Sequence, residues 1–158
     1  MKFLLFAVGH KQPEWVEMAC QEYLKRLPRE ISVQVFAIKP EPREGKTREQ
    51  LLAAEGIRIR QNLKSFPRAR LVALDEKGED LTTRQFAGRL QDWLTLGETI
   101  AFLIGGADGL EDELKAKARD ILRLSSLTLP HGLARTLLCE QLYRASSLLG
   151  GHPYHREG

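Results

Sequence analysis

The chain has 158 residues, 42% hydrophobic and 28% charged, which is the composition of one ordinary globular domain with a sizeable core. No apolar run approaches the roughly 18 residues that a membrane-spanning helix needs, and the apolar residues 1–8 are too few for a secretory signal. The net charge is +3, yet residues 1–70 hold 14 Lys and Arg against 8 Asp and Glu, a balance of +6. A basic half suits a polyanionic partner, although an ordinary solvated surface explains this scatter of charge more readily.

The two cysteines, Cys20 and Cys139, lie on separate helical segments, and neither has another cysteine near it in the sequence. This isolation argues against a disulfide framework and against a zinc site. It favours a reducing compartment, so we expect a cytoplasmic protein without a metal site.

Short apolar runs alternate with longer helical patterns along the chain. The apolar runs are rich in Val, Ile, Leu and Phe, which predicts strands at residues 2–8, 32–38, 70–74, 99–104 and 126–129. The intervening patterns predict helices at residues 14–27, 48–63, 83–94, 110–122 and 133–149. Two helices begin with capping boxes, at residues 47–50 and 82–85. This alternation implies right-handed crossovers, and the expected fold is one α/β domain over residues 1–158 with a mostly parallel sheet.

The glycine-rich segment Gly105-Gly-Ala-Asp-Gly109 follows a predicted strand and precedes a helix. Its free backbone N–H groups could bind a polar ligand, although a tight strand-to-helix turn explains the glycines equally well. It lacks the spacing of a dinucleotide fingerprint and the Lys-Ser/Thr of a P-loop, which argues against both classes of nucleotide site. At the end of the predicted strand 70–74, Asp75 favours a turn over residues 75–78; the alternative is that the Leu74 backbone lines a ligand pocket with Asp75 at its rim.

The segment Leu124-Ser-Ser-Leu-Thr-Leu-Pro-His131 places three hydroxyls and several leucines between two helices. Such a loop could wrap an amphipathic small molecule, and a plain connection is the alternative. Next to it, His131 and Arg135 share one helix face, and we predict both of them and Arg144 as contacts to a phosphate-bearing substrate. Pairing of an arginine with Glu140 is the simpler alternative.

The terminal segment His152-Pro-Tyr-His-Arg-Glu157 offers stacking, proton transfer and phosphate contact. No cysteine or carboxylate cluster accompanies its histidines, so a metal site is a poor interpretation. A disordered, dispensable tail is the alternative.

Taken together, these segments resemble the ribosomal RNA large subunit methyltransferase H family, small members of the SPOUT superfamily. The resemblance covers essentially the whole chain, from Phe6-Ala-Val-Gly9 and Tyr23-Leu-Lys-Arg26 onward, and is strongest from Leu124 to Arg156. The ordered combination of Ile-Gly-Gly-x-x-Gly, Leu-Ser-x-Leu-Thr-Leu-Pro-His, Glu-Gln-x-Tyr-Arg-Ala and a terminal Tyr-His-Arg is highly specific.

The resemblance implies an α/β fold whose part at about residues 70–150 forms a trefoil knot, with a functional tail at residues 152–158. It implies a homodimer that uses S-adenosylmethionine to methylate N3 of a pseudouridine in helix 69 of large-subunit ribosomal RNA, on the assembled ribosome. By motif matching, the catalytic residues are Tyr154, His155 and Arg156. The cofactor contacts implied in the same way are Leu74, Gly105, Leu124, Ser125, Ser126, Leu127, Thr128 and Leu129.

Methyl transfer from a sulfonium is an in-line displacement, so the protein mainly positions donor and acceptor, and no metal is needed. The acceptor N3 carries a proton that must leave, and either His155 or a phosphate group could be the base. Three other functions remain open from the sequence: methylation of another RNA position, non-catalytic binding to RNA or ribosomes, and flavodoxin-like binding of a small ligand.

Overall fold

A computed structural model describes residues 1–9 and 12–150 of the chain. In this part, five parallel strands form one sheet in the order β2-β1-β4-β3-β5. The strands are β1 (Lys2–Val8), β2 (Ser32–Ile38), β3 (Arg70–Asp80), β4 (Ile100–Ile104) and β5 (Asp120–Arg123). The helices are α1 (Glu14–Leu24), α2 (Arg48–Leu63), α3 (Thr83–Leu96), α4 (Asp112–Lys117) and α5 (His131–Leu149). The α/β class with a parallel sheet is confirmed.

The core lies on both faces of the central strands β1 and β4, whose side chains are almost wholly buried. One face packs against α1, α3 and α5, where Phe102 meets Trp93 and Leu138 in one apolar cluster. The other face packs against α2 and α4 through Ile59 and Leu114. Strands covered on both faces read as continuous apolar runs, which is why the sequence predicted these strands well.

The two predicted capping boxes are present. Thr47 accepts a hydrogen bond from the backbone N–H of Gln50, whose side chain bonds back to the Thr47 N–H, and Thr82 and Gln85 do the same. Each box satisfies two backbone donors that a helix start otherwise leaves unpaired. Helix α2 therefore begins and ends where the sequence predicted.

The prediction of a last strand at residues 126–129 is wrong, because β5 lies earlier, within the predicted helix 110–122. Helix α4 ends after Lys117, where Ala118 adopts extended backbone. Two long-range contacts favour the strand: Leu122 is buried in the core, and the Asp120 carboxylate accepts a hydrogen bond from Arg70 at 2.8 Å. Residues 126–128 are exposed instead.

The predicted turn at residues 75–78 appears as an irregularity within a longer strand. Leu74 and Glu79 both pair with Leu122, so the four residues between them bulge out of the ladder. The Asp75 carboxylate accepts a hydrogen bond from the Lys77 N–H at 3.0 Å, the local contact typical of an Asx turn. The trefoil knot and the assignment of all 158 residues to one domain stay predictions.

Candidate active site at the carboxyl edge of the sheet

A cavity of about 760 Å³ opens where β3, β4 and β5 end. Parallel strands bring their carboxyl ends to one edge, and ligands of open α/β sheets bind there. Its walls come mainly from residues 74–77, 104–109 and 123–131, with the exception of Ser126. Seven of the eight predicted cofactor contacts therefore line one cavity: Leu74, Gly105, Leu124, Ser125, Leu127, Thr128 and Leu129. Ser126 is exposed and is not part of the lining.

The glycine-rich segment forms a tight turn in the cavity wall. The Gly109 N–H donates to the Gly106 carbonyl at 3.1 Å, and Gly109 has a φ of 84°, in the left-handed region. A Cβ on Gly105 would lie 2.3 Å from the Gly109 backbone. Gly105 is therefore required by the packing of the turn against itself, as the tight-turn alternative expects, and its part in a ligand site stays a prediction.

His131 links the start of α5 to this turn. Its Nδ1 donates to the Gly105 carbonyl at 3.1 Å, since that oxygen can only accept, and this leaves Nε2 as a hydrogen-bond acceptor. Nε2 is buried and has no partner among the described residues. Burial lowers the pKa of His131, which favours the neutral ring. The cavity wall thus carries a neutral imidazole with a basic nitrogen that no described residue engages, placed between the ends of β1 and β4.

The loop from Leu124 to Leu129 forms the apolar side of the cavity. The Ser125 hydroxyl accepts from the Leu127 N–H at 2.9 Å, which closes a short turn and directs the loop across the opening. Leu127 is 77% exposed although it lines the cavity. An exposed leucine at a cavity mouth is an apolar surface that a bound ligand can cover.

A charged rim surrounds the opening, and sequence reasoning missed it. Arg43 pairs with the Asp108 carboxylate at 2.6 Å, and Arg48 donates to the Asp108 carbonyl at 3.1 Å. The hydrogen bond from Arg43 lowers the pKa of Asp108. Across the opening, Lys115 approaches Asp75 at 3.5 Å. The basic loop before α2 thereby fixes the glycine-rich turn, a long-range contact that no local pattern indicates.

Two predicted RNA contacts lie away from the cavity lining. Arg135 is only 3% exposed and pairs with Glu17 of α1 at 3.2 Å, and its Nε and Nη2 have no partner among the described residues. Arg144 pairs with Glu140 at 2.6 Å, the alternative that the sequence left open. Neither arrangement presents a guanidinium freely to RNA, and their role stays a prediction. The predicted catalytic residues Tyr154, His155 and Arg156 lie outside the described residues.

In the part of the chain that the structure describes, no three His, Cys, Asp or Glu side chains are grouped so that they could hold a metal ion. Within the same residues, every helix is too short or too polar to cross a membrane.

A family model described as "Predicted SPOUT methyltransferase" matches residues 1–155. The chain belongs to the SPOUT methyltransferase family. Among its relatives are two proteins named ribosomal RNA large subunit methyltransferase H. The one from Dechloromonas aromatica is 63% identical over 158 residues, 100% of both chains, and the one from Nitrosospira multiformis is 57% identical over 157 residues, 99% of both. The family resemblance drawn from the motifs is confirmed.

Solved structures agree on the fold of this family. A probable methylase family protein from Haemophilus influenzae matches 95% of this chain and 67% of its own, with a TM-score of 0.57 and 15% identity. A probable methyltransferase from Bordetella pertussis matches 92% of this chain and 95% of its own, with a TM-score of 0.54 and 14% identity. At such low identity these likenesses concern the fold alone.

Proposed function

We propose that this chain is an S-adenosylmethionine-dependent methyltransferase that methylates N3 of a pseudouridine in helix 69 of 23S ribosomal RNA, on assembled ribosomes in the cytoplasm. The observation that carries the proposal is the cavity that joins Leu74, Gly105 and the loop from Leu124 to Leu129 in a chain of the SPOUT methyltransferase family. Full-length relatives named for large-subunit ribosomal RNA methylation support the substrate class.

The cavity suits S-adenosylmethionine in size and chemistry. Its volume of about 760 Å³ falls in the range of roughly 300–1,000 Å³ for small-molecule sites. Leu74, Leu127 and Leu129 provide apolar walls for a purine ring, and covering an exposed leucine contributes about 1.5–3 kcal/mol. Backbone groups of the glycine-rich turn and the carboxylate of Asp75 provide partners for hydroxyl and ammonium groups. When bound, the cofactor supplies an electrophilic methyl group.

The residues around the cavity then have two tasks, which are to align the acceptor nitrogen and to receive its proton. Alignment alone lowers the barrier strongly, because it removes the entropy of bringing two reactants together. For the proton, Nε2 of His131 adds a candidate base to His155 and a substrate phosphate. Its support is the neutral ring and the acceptor nitrogen that the described residues leave without a partner; Nε2 is buried, so it would receive the proton only after the cavity wall around it opens. Tyr154 and Arg156 would stack on and hold the target nucleotide, with His131, Arg135 and Arg144 as the proposed RNA contacts.

A homodimer across α1 and the start of α5 accounts for an apolar surface beside the cavity. Trp15, Met18 and Leu133 are 52%, 64% and 42% exposed, respectively. Light scattering at micromolar concentration should give a dimer, and Met18→Lys should shift it to monomer. A stable wild-type monomer would contradict this part of the proposal.

The test of the function is incubation of the protein with labelled cofactor and ribosomes that lack the modification, followed by mapping of the label to a nucleotide. Label on N3 of the helix 69 pseudouridine supports the proposal. Label at another nucleotide would assign a different RNA site to the same chemistry. Ribosome binding without transfer would indicate a non-catalytic module, and failure to bind the cofactor would exclude a methyltransferase.

Free RNA should be a poor substrate compared with ribosomes. The net charge is only +3, so phosphate neutralisation by itself gives weak, non-specific binding. Equal rates on a naked stem-loop and on ribosomes would contradict the assembled ribosome as substrate.

A further inference from the structure

The amino edge of the sheet, opposite the cavity, carries a row of cations without carboxylate partners among the described residues. Elsewhere in the described part most Lys and Arg side chains form ion pairs, such as Arg43 with Asp108 and Arg89 with Glu79. The group at the amino edge, which we call the amino-edge row, consists of Lys2, Arg29, Lys64, Arg68 and Arg119. All except Lys2 are exposed.

The topology places these residues in a line. Lys2 begins β1, Arg29 precedes β2, Arg68 precedes β3 and Arg119 directly precedes β5. Because the strands are parallel and ordered β2-β1-β4-β3-β5, these four positions lie along one edge, with a gap at β4, which Glu98 precedes, while Lys64 follows the end of α2. Four strand spacings of about 4.8 Å give a row roughly 19 Å long. That length can meet several phosphate groups of a nucleic-acid backbone at once.

The acidic groups at this edge are mostly engaged within the protein. Arg70 holds Glu98 at 3.3 Å and Asp120 at 2.8 Å, and Asp120 also pairs with Arg89 at 3.1 Å. Glu30 and Asp92 are exposed carboxylates at this edge, and Asp92 lines a shallow cleft together with Arg70 and Asp120. The inner charges therefore neutralise one another, and the outer cations dominate the potential at this surface.

Lys2, at the amino end of β1, is held in place. It is half-buried, and its ammonium group lies 5.0 Å from the centre of the Phe66 ring. A cation–π contact of this kind restrains the side chain and leaves its charge uncompensated. The row is thus partly ordered before any partner binds.

We propose that the amino-edge row is a second contact surface for the phosphodiester backbone of ribosomal RNA. This inference rests on the proposed function and adds a second surface by which the enzyme binds the ribosome. Strands of five to seven residues separate the row from the cavity by roughly 17–23 Å. We expect an assembled ribosome to offer RNA segments that reach both edges together, whereas one short stem-loop at the cavity should not extend to the opposite edge. The row therefore favours assembled ribosomes over isolated stem-loops.

The test compares Arg68→Glu/Arg119→Glu with a control, Arg68→Lys/Arg119→Lys, that keeps both charges. Kinetics are measured on ribosomes and on an isolated helix 69 stem-loop, together with S-adenosylmethionine affinity. We expect the Glu variant to raise KM for ribosomes about tenfold or more, with kcat, cofactor affinity and stem-loop kinetics unchanged. The Lys variant should behave as wild type. The logarithm of the ribosome-binding constant falls linearly with the logarithm of the salt concentration. In the Glu variant this slope should become shallower by about one unit for each phosphate that the row no longer neutralises.

Unchanged KM for ribosomes in the Glu variant would overturn the inference. An equal loss on the stem-loop would overturn it as well, since that pattern indicates a general effect of net charge. Weaker binding to ribosomes with unchanged binding to deproteinised large-subunit RNA would assign the row to a ribosomal protein, and so would also contradict it. These outcomes are distinct from failure of the proposed function, in which the wild-type protein itself would not methylate ribosomes, and binding measurements would still decide the role of the row.

Discussion

The two edges of the sheet are formed by the same strands and present different chemistry. At the carboxyl edge, the glycine-rich turn and the Leu124 loop expose backbone and apolar groups around a cavity. There the Nε2 of His131 has no partner among the described residues. At the amino edge, Arg70 joins Glu98 and Asp120 in a closed network, and the cations of the amino-edge row lie at the outer surface.

If the two proposals hold, one sheet carries the chemistry at one edge and RNA binding at the other. At the carboxyl edge, groups around the cavity are left without partners among the described residues. At the other edge the polar groups near the core satisfy one another, and charge is left over only at the outer surface. Changes at the carboxyl edge should therefore alter cofactor binding or turnover, whereas changes at the amino edge should alter ribosome affinity.

The largest effect should come from truncation after Gly151, which removes Tyr154, His155 and Arg156. We expect turnover to fall by about 100-fold or more, the range for loss of a positioned acid or base. S-adenosylmethionine affinity should stay near that of the full chain, because the predicted cofactor contacts are retained. Calorimetry and single-turnover kinetics on one preparation measure both quantities. Normal turnover would show that the tail is dispensable and that the chemistry resides wholly in the described residues.

Two substitutions of His131 test the roles of its two ring nitrogens separately. In His131→Asn the amide can still donate to the Gly105 carbonyl, as Nδ1 does, but the acceptor at Nε2 is removed. We expect cofactor affinity to persist and turnover to fall about 100-fold. In His131→Gln the bond to Gly105 is broken, so cofactor affinity should fall too. Equal turnover in His131→Asn and wild type would exclude Nε2 as the base.

His131 also predicts a dependence of stability on pH. Burial lowers its pKa in the folded state, so the unfolded chain binds more protons around its ordinary pKa of about 6.5. The free energy of unfolding should accordingly decrease as the pH falls below about 6.5, and this component should be absent in His131→Asn. Urea unfolding at pH 7.5 and pH 5.5 measures it. An identical pH dependence in the two proteins would contradict the lowered pKa.

A smaller effect is expected for Leu127→Ala. Leu127 is exposed in the structure, so its removal should leave the free energy of unfolding nearly unchanged. If the cofactor covers this side chain, the substitution should weaken cofactor binding by about tenfold, which corresponds to about 1.4 kcal/mol of apolar burial. The exposed Leu96, at the far end of α3, supplies the matched control Leu96→Ala. Equal effects of the two substitutions would remove Leu127 from the cofactor site.

The smallest effect at the cavity should follow Arg43→Ala. Its partner Asp108 belongs to the glycine-rich turn, but Arg43 itself is largely exposed, and exposed ion pairs stabilise little. We expect cofactor affinity to fall by less than about fivefold, with the difference decreasing at high salt. A reduction as large as that of Leu127→Ala would mean that the turn depends on Arg43 for its shape.

The sequence predicted those parts of the fold that local interactions determine. The bounds of α2 follow from a capping box and a helical repeat, β1 follows from the unbroken apolar run at residues 3–8, and β2 follows from an apolar run interrupted only by Gln34. Strand β5 was missed because residues 120–123 continue a helical pattern and become a strand only by pairing with β3. For the site, strand ends and glycines pointed to the cavity wall. The rim formed by Arg43, Arg48 and Asp108 joins distant segments, which one sequence without its fold does not reveal.

Strand β1 has a consequence for how the protein is made. Phe3 pairs with Ile100, 97 positions later, so one side of the central strand stays open until β4 has been synthesised. At about 5–20 residues per second, translation leaves this interval at roughly 5–20 s. During this interval residues 3–8, which are all apolar and almost fully buried in the finished protein, have at most β2 as a neighbour in the sheet. We therefore expect nascent chains that stall before residue 100 to be held by chaperones or to aggregate through β1.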